Sequence, residues 1–269
     1  MPLSDRAALN RLRASSRQDY LHALLIAPDI REDFVAMRLF HRELLRIVRE
    51  ANDAAIAEIR MQWWADGLRG LRAAELASHP IGAELLELVR RRPEARDPLA
   101  AKAEAFALEL YPDAPPDRSE FEGRAGETRA IPLQLLVAER GKASTLSDAS
   151  GHFGVVEAVS ETLEELPRRR TKGRVPVPAD ILSEAGVSAE SFLNDEDAAK
   201  AATRLFARFG MEHAQKVRAA LRGRQVGRAF ASLALYEYRM SAAAGNPIGA
   251  VNGRLGPGPL RTQWLLWRG

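Results

Sequence analysis

Glu157, Glu161 and Glu165 recur every fourth residue in the segment 155–182, VVEAVSETLEELPRRRTKGRVPVPADIL, with Val156, Val159 and Leu163 between them. On a helix this spacing gathers the carboxylates on one face and sets the apolar residues on another. Pro167 disfavours helical geometry in the residue before it, so the helix is predicted to end at Leu166. Beyond it come a basic run, residues 168–174, then an extended VPVP and a helix opening at Asp180. A carboxylate stripe running into a cationic, glycine-containing loop has the donors to hold Mg²⁺ against a phosphate-rich ligand. Spacing alone favours the simpler alternative, a solvated acidic face followed by a solvated basic turn.

Helical patterning fills the rest of the chain. A first helix is predicted over residues 17–27, with Tyr20, Leu21, Leu24 and Leu25 on one face, and Pro28 marks its end. Over residues 30–49, Phe34, Met37, Leu44, Leu45 and Val48 repeat at the spacing of a core-facing stripe. Residues 53–71 continue with adjacent Trp63 and Trp64, read as core packing, and His79-Pro80 opens another helix with His79 bonding at its start. A polar turn over 90–98 precedes a helix over 99–110, and Pro112, Pro115 and Pro116 make the clearest loop. Small residues Gly123, Ala125, Gly126 and Ala130 leave room for another backbone or a ligand chain, and Pro132 is expected to kink its helix. Asp195 and its neighbours signal a helix start. Helices follow over 198–221, with Leu205, Phe206, Phe209 and Val217 inward, and over 228–244, with Ala231, Leu235, Tyr238 and Met240 inward. A short final helix carries Trp264, Leu265 and Trp267, either packed on the body or exposed as a patch for a partner or membrane surface.

Composition narrows the function classes. The chain has 269 residues, 46 % apolar and 28 % charged, with a net charge of only +3. That balance is globular and gives no reason to expect nucleic acid. No cysteine is present, which excludes disulfides and thiolate metal sites. No stretch approaches the roughly 20 apolar residues of a membrane span. The arginines at 6, 11, 13 and 17 faintly resemble a mitochondrial presequence, but a bacterial cytoplasmic protein is expected. Peripheral contact with the inner membrane stays open, as does the mitochondrial matrix if the source is eukaryotic. Asp19 and His22 share one helix with no nucleophile in view, and are read as a structural pair. No Walker loop, dinucleotide fingerprint, nucleophile elbow or histidine pair at metal spacing is present.

The stretch GRVPVPADILSEAGVS resembles the segment that follows the second aspartate-rich helix of squalene and phytoene synthases. Aligning Gly173-Arg174 on that family's Gly-Arg puts Glu161, Glu165 and Arg169 at the Asn and two Asp positions of its N-x-x-x-D-x-x-x-D motif. Arg38-Leu39-Phe40-His41-Arg42 resembles the first motif, whose two metal-binding aspartates then fall at Leu45 and Arg49. The tract EIRMQWWADGL, residues 58–68, is similar to the subgroup containing the mitochondrial complex I assembly factor and its bacterial relatives. The likeness runs over residues 17–267. It implies a single domain over 1–269, an all-α isoprenoid-synthase-type bundle, with the 30–49 and 155–166 helices facing across a central cavity.

True synthases join two prenyl diphosphates using Mg²⁺ held between aspartate-rich helices, since a departing diphosphate must be neutralised. Here the resemblance leaves no catalytic residue and no metal ligand to name. The degenerate pocket is Leu45, Arg46, Arg49, Glu157, Glu161, Glu165 and Arg169, with Arg168, Arg170, Lys172 and Arg174 as a possible diphosphate-binding set. At least one of Arg46, Arg49 and Arg169 is expected to pair with Glu161 or Glu165 in place of Mg²⁺. The resemblance therefore implies a non-catalytic protein with no cofactor, assisting assembly of respiratory NADH dehydrogenase or binding an isoprenoid lipid. The alternatives are an active Mg²⁺-dependent prenyltransferase and a scaffold whose cavity has collapsed.

Overall fold

The computed structural model describes residues 3–138, 143–224 and 226–269. The first helices are α1 (Leu3–Ser15), α2 (Arg17–Leu25), α3 (Pro28–Glu50), α4 (Ala54–Leu68), α5 (Ala73–Ser78), α6 (Pro80–Arg91) and α7 (Arg96–Phe106). Then come α8 (Arg118–Ala125), a π-helical turn (Gly126–Ala130), α9 (Ile131–Ala138) and the long α10 (Ala143–Thr171). The chain finishes with α11 (Ala179–Glu184), α12 (Ala189–Asn194), α13 (Glu196–Leu221), α14 (Leu233–Gly245), α15 (Ile248–Val251) and α16 (Pro259–Arg268). As predicted, the fold is all-α, and no strand occurs among the described residues. Two compact units form, one from Met1–Leu110, Ile131–Ser144 and Val226–Ala229, the other from Tyr111–Ala130, Thr145–Gln225 and Phe230–Gly269.

The first unit is built around α3. Pro28 opens it at a position where its missing N–H costs nothing, and Phe40, Leu44 and Ile47 are fully buried. Arg31 donates to the Ala23 and Ile26 carbonyls, satisfying the end of α2. The buried face of α2 is not the predicted apolar one: Leu24 is exposed, while Asp19, His22 and Ala23 point inward. Arg38 and Arg42 bring this about by pairing with Asp19 from α3. Burial alone would raise the Asp19 pKa, but the two guanidiniums override it and hold the carboxyl far below its usual range. His22 Nε2 bonds the Arg228 carbonyl. Asp33 meets Arg91 and Arg92, tying α3 to the end of α6.

His79 caps α6 as expected, its Nδ1 accepting from the N–H groups of Ile81 and Gly82. Gly82 lets α6 pass α5, since a Cβ there would lie 2.1 Å from the Leu76 carbonyl oxygen. Trp64 is buried and Trp63 half-buried, with its Nε1 donating to Glu75. The predicted polar turn over 90–98 is shorter, because α6 reaches Arg91 and α7 begins at Arg96. Asp97 in the first turn of α7 complements its dipole.

In the second unit the proline loop and the VPVP segment bond each other, Val175 N–H to the Pro112 carbonyl and Ala179 N–H to that of Pro115. Asp117 caps α8, and Asp195 caps α13 by accepting from Asp197 and Ala198 N–H groups. The small-residue tract does admit another backbone: a Cβ on Gly154 would lie 2.9 Å from Ala130 N and 3.0 Å from the Ala125 oxygen. A Cβ on Gly210 would meet Val159 and Met240, so α13 closes on α10 and α14 there.

Two expectations need correction in this unit, and a third is decided between its alternatives. The α10 helix does not stop at Leu166 but runs through Pro167 to Thr171. A proline removes one helical bond, and fully buried Leu163 and Leu166 keep the helix packed on either side of that gap. The stop comes instead at Gly173, whose φ of 69° lets Arg174 N–H reach back to the Arg169 carbonyl. On α14, which begins only at Leu233, Tyr236 and not Tyr238 is the buried tyrosine. On α16 the packed residues are Leu265 and Leu266, whereas Leu260, Trp264 and Trp267 are exposed.

His213 of α13 is buried against Phe209, and burial, Lys216 and His152 together push its pKa down to about 4. An unfolded histidine titrates near 6.5, so the unfolded chain binds the extra proton between those values. The stability tied to the neutral ring is therefore whole above about pH 6.5 and lost as pH falls toward about 4. Urea midpoints should drop over that window, and His213→Gln should flatten the drop by up to about 3 kcal/mol. An unchanged slope in the variant would remove His213 from the acid limb.

Candidate functional site

Two of the three stripe carboxylates on α10 are buried, Glu157 at 2 % and Glu161 at 4 % exposure, while Glu165 is half-buried. A bare buried carboxylate is costly, so each needs a partner. Tyr236 of α14 donates its hydroxyl to Glu157 Oε1 at 2.8 Å. Arg129, in the π-helical turn, donates Nε–H to Glu161 Oε2 at 3.2 Å, and both side chains are only 4 % exposed. The extra residue of a π-turn re-aims the side chains around it. Here the turn carries Arg129 into the unit, where its Nη1 also donates to Thr128 Oγ1 at 2.8 Å. Thr128 in turn donates to the Arg124 carbonyl. Glu164, between the stripe positions, meets Arg239 at 3.1 Å.

The basic run divides by role. Continuation of α10 puts Arg168, Arg169 and Arg170 in its last turn, where cations complement the dipole. Arg170 donates to the carbonyls of Phe192, Leu193 and Asp195, holding the end of α12, and burial lowers its pKa. Of the proposed diphosphate set, then, Arg170 already serves the backbone. Lys172 is exposed, and slight burial together with Arg174 and Arg168 depresses its pKa, which groups these three cations.

The remaining expected residues belong to the first unit. Leu45 is buried and Arg49 exposed. Arg46 pairs along its own helix with Glu43 and Glu50, both at 2.6 Å. Arg129 at Glu161 and Tyr236 at Glu157 are partners that the sequence did not single out. For Tyr236 the signal was there, a second tyrosine two residues from the one chosen.

The positions that the resemblance gives to the metal motifs carry other chemistry. Leu45 and Arg49 offer no oxygen, Glu161 already neutralises a guanidinium, and Glu157 accepts from a phenol. If the Arg129–Glu161 pair carries the local electrostatics, Arg129→Ala should cost about 3 kcal/mol in urea unfolding. Arg129→Met combined with Glu161→Met should recover most of that loss, and additive losses would show the pair to be uncoupled.

The architecture is that of the isoprenoid synthases. It superposes on a dehydrosqualene synthase solved with ligand at a TM-score of 0.77, covering 98 % of this chain and 94 % of that one, at 12 % identity. The squalene synthase HpnC from Alicyclobacillus acidocaldarius gives a TM-score of 0.67 over 96 % and 98 %, at 16 % identity. Residues 12–268 match the squalene/phytoene synthase family, and the chain belongs to it. It is also similar to the NADH dehydrogenase (ubiquinone) complex I assembly factor 6 of Bos taurus, 28 % identical over 191 residues, 71 % of this chain and 57 % of the relative. The Homo sapiens protein of that name is 26 % identical over the same shares. The chain spans a little over half the length of these curated relatives.

Proposed function

We propose that this chain is a synthase-family protein without prenyl-transfer chemistry that assists assembly of a respiratory NADH dehydrogenase. The observation that carries the proposal is the Arg129–Glu161 pair: at a position the resemblance gives to the metal motif, the carboxylate is buried and compensated by a guanidinium. The names of the mammalian relatives supply the assembly role. In this reading the protein needs no cofactor and works through a protein partner in the compartment where the complex is built. Among the described residues no helix is long and apolar enough to cross a membrane. Incubation with farnesyl and geranylgeranyl diphosphates plus Mg²⁺ should give no C30 or C40 product, while deletion of the gene should lower assembled NADH dehydrogenase. Product formation would establish the active prenyltransferase instead, and isoprenoid retained without turnover would point to a lipid-binding role.

The contact is assigned to the exposed stripe Leu260, Trp264 and Trp267 on α16, with Arg261 stacked on Tyr238 and Arg268 on Trp264. Because both tryptophans are largely exposed, replacing them together with serine should shift stability by less than about 1 kcal/mol. The same variant should fail to restore assembled complex in the deletion strain. A large fall in melting temperature would make these residues part of the core, and full restoration would move the contact elsewhere.

A further inference from the structure

Three helices of the second unit bring two imidazoles together in a way the proposed function does not use. His152 of α10 and His213 of α13 face each other through Nδ1 atoms 3.1 Å apart, their ring planes at 72°. Glu122 of α8 lies 3.3 Å from the other nitrogen of His213, Nε2. A carboxylate on Nε2 fixes the proton there and leaves the Nδ1 lone pair aimed at His152. This is the outer-shell arrangement that orients histidine ligands in metal sites. Two nitrogens on a tetrahedral Zn²⁺ sit about 3.3 Å apart, so the separation of the two Nδ1 atoms is close to that of two ligands on one ion, and a small rotation of the rings turns both lone pairs toward it.

We propose that His152 and His213 form a binding site for a divalent transition cation of the zinc type, with both Nδ1 atoms as ligands and Glu122 as the orienting carboxylate. A neutral imidazole carries one ring proton. The proton between the two Nδ1 atoms moves through solvent to Nε2 of His152, so the cation enters without net proton gain or loss. Asp148, one turn before His152 on α10, acts on that ring electrostatically and favours a cation there, with water completing the shell. Lys216, one turn past His213, opposes a cation, but its side chain is exposed and able to swing away. His152 is half-exposed and gives the ion a way in. Nitrogen donors select against Mg²⁺, which separates this site from the family's oxygen-rich one.

The test is titration of tag-free full-length protein with Zn²⁺ by calorimetry, and with Co²⁺ by its visible d–d absorption. The expected result is saturable binding that excess Mg²⁺ does not displace, with affinities rising from Mn²⁺ through Co²⁺ and Ni²⁺ to Cu²⁺. His152→Gln, at a half-exposed position, should keep the melting temperature and lose at least tenfold in Zn²⁺ affinity. Glu122→Gln, which keeps both ligands, should lose about tenfold. No Zn²⁺ binding to the wild type, or equal binding by wild type and His152→Gln, would overturn the proposal. These readouts do not depend on prenyl transfer or complex assembly, so they stand or fall separately from the proposed function.

Discussion

Among the described residues, every helix that buries an acid does so against an arginine, a phenol or both, and the packing depends on those pairings. Asp19 enters the first unit only because Arg38 and Arg42 meet it there, and Asp33 only with Arg91 and Arg92. In the second unit Glu157 and Glu161 are tolerated through Tyr236 and Arg129. A buried ion pair gains little over an apolar one of the same volume. What these pairs contribute is register, since each fixes how one helix is rotated against the next.

That dependence explains what the sequence could and could not reveal. Helix existence was legible from apolar spacing, and so was capping at His79 and Asp195, because the cap side chains act within three residues of their own position. The inward face of α2 was not. Its apolar residues point to Tyr20, Leu21, Leu24 and Leu25, and only knowledge of two arginines on a later helix turns Asp19 inward. The course of α10 past Pro167 was hidden for a similar reason, since local geometry argues for a stop and burial on both sides overrides it.

The stripe at Glu157, Glu161 and Glu165 was legible as a helix face, and the partners Tyr236 and Arg129 were not. The expected arginines were Arg49 and Arg169, which the resemblance places in the old metal motifs, and Arg46 one turn before Arg49. One of them, Arg46, is held by Glu43 and Glu50 on its own helix. The guanidinium found at Glu161 comes from a tract that reads as small residues and a kink, where nothing marks Arg129 as inward-facing. Its placement is set by a backbone irregularity, and no periodicity argument can anticipate one.

The π-helical turn over Gly126–Ala130 also bears on how related sequences should be compared. Such a turn holds one residue more than the α-helical turn it replaces, and each helical residue advances the side chain by about 100°. A relative one residue shorter in this tract would close an ordinary helix and present a different side chain toward the glutamates. An ungapped alignment would pair Arg129 with a residue on another face, so conservation at that column would misreport whether the charge partner exists. The meaningful unit of comparison is the pair of turn length and arginine, inherited or lost together.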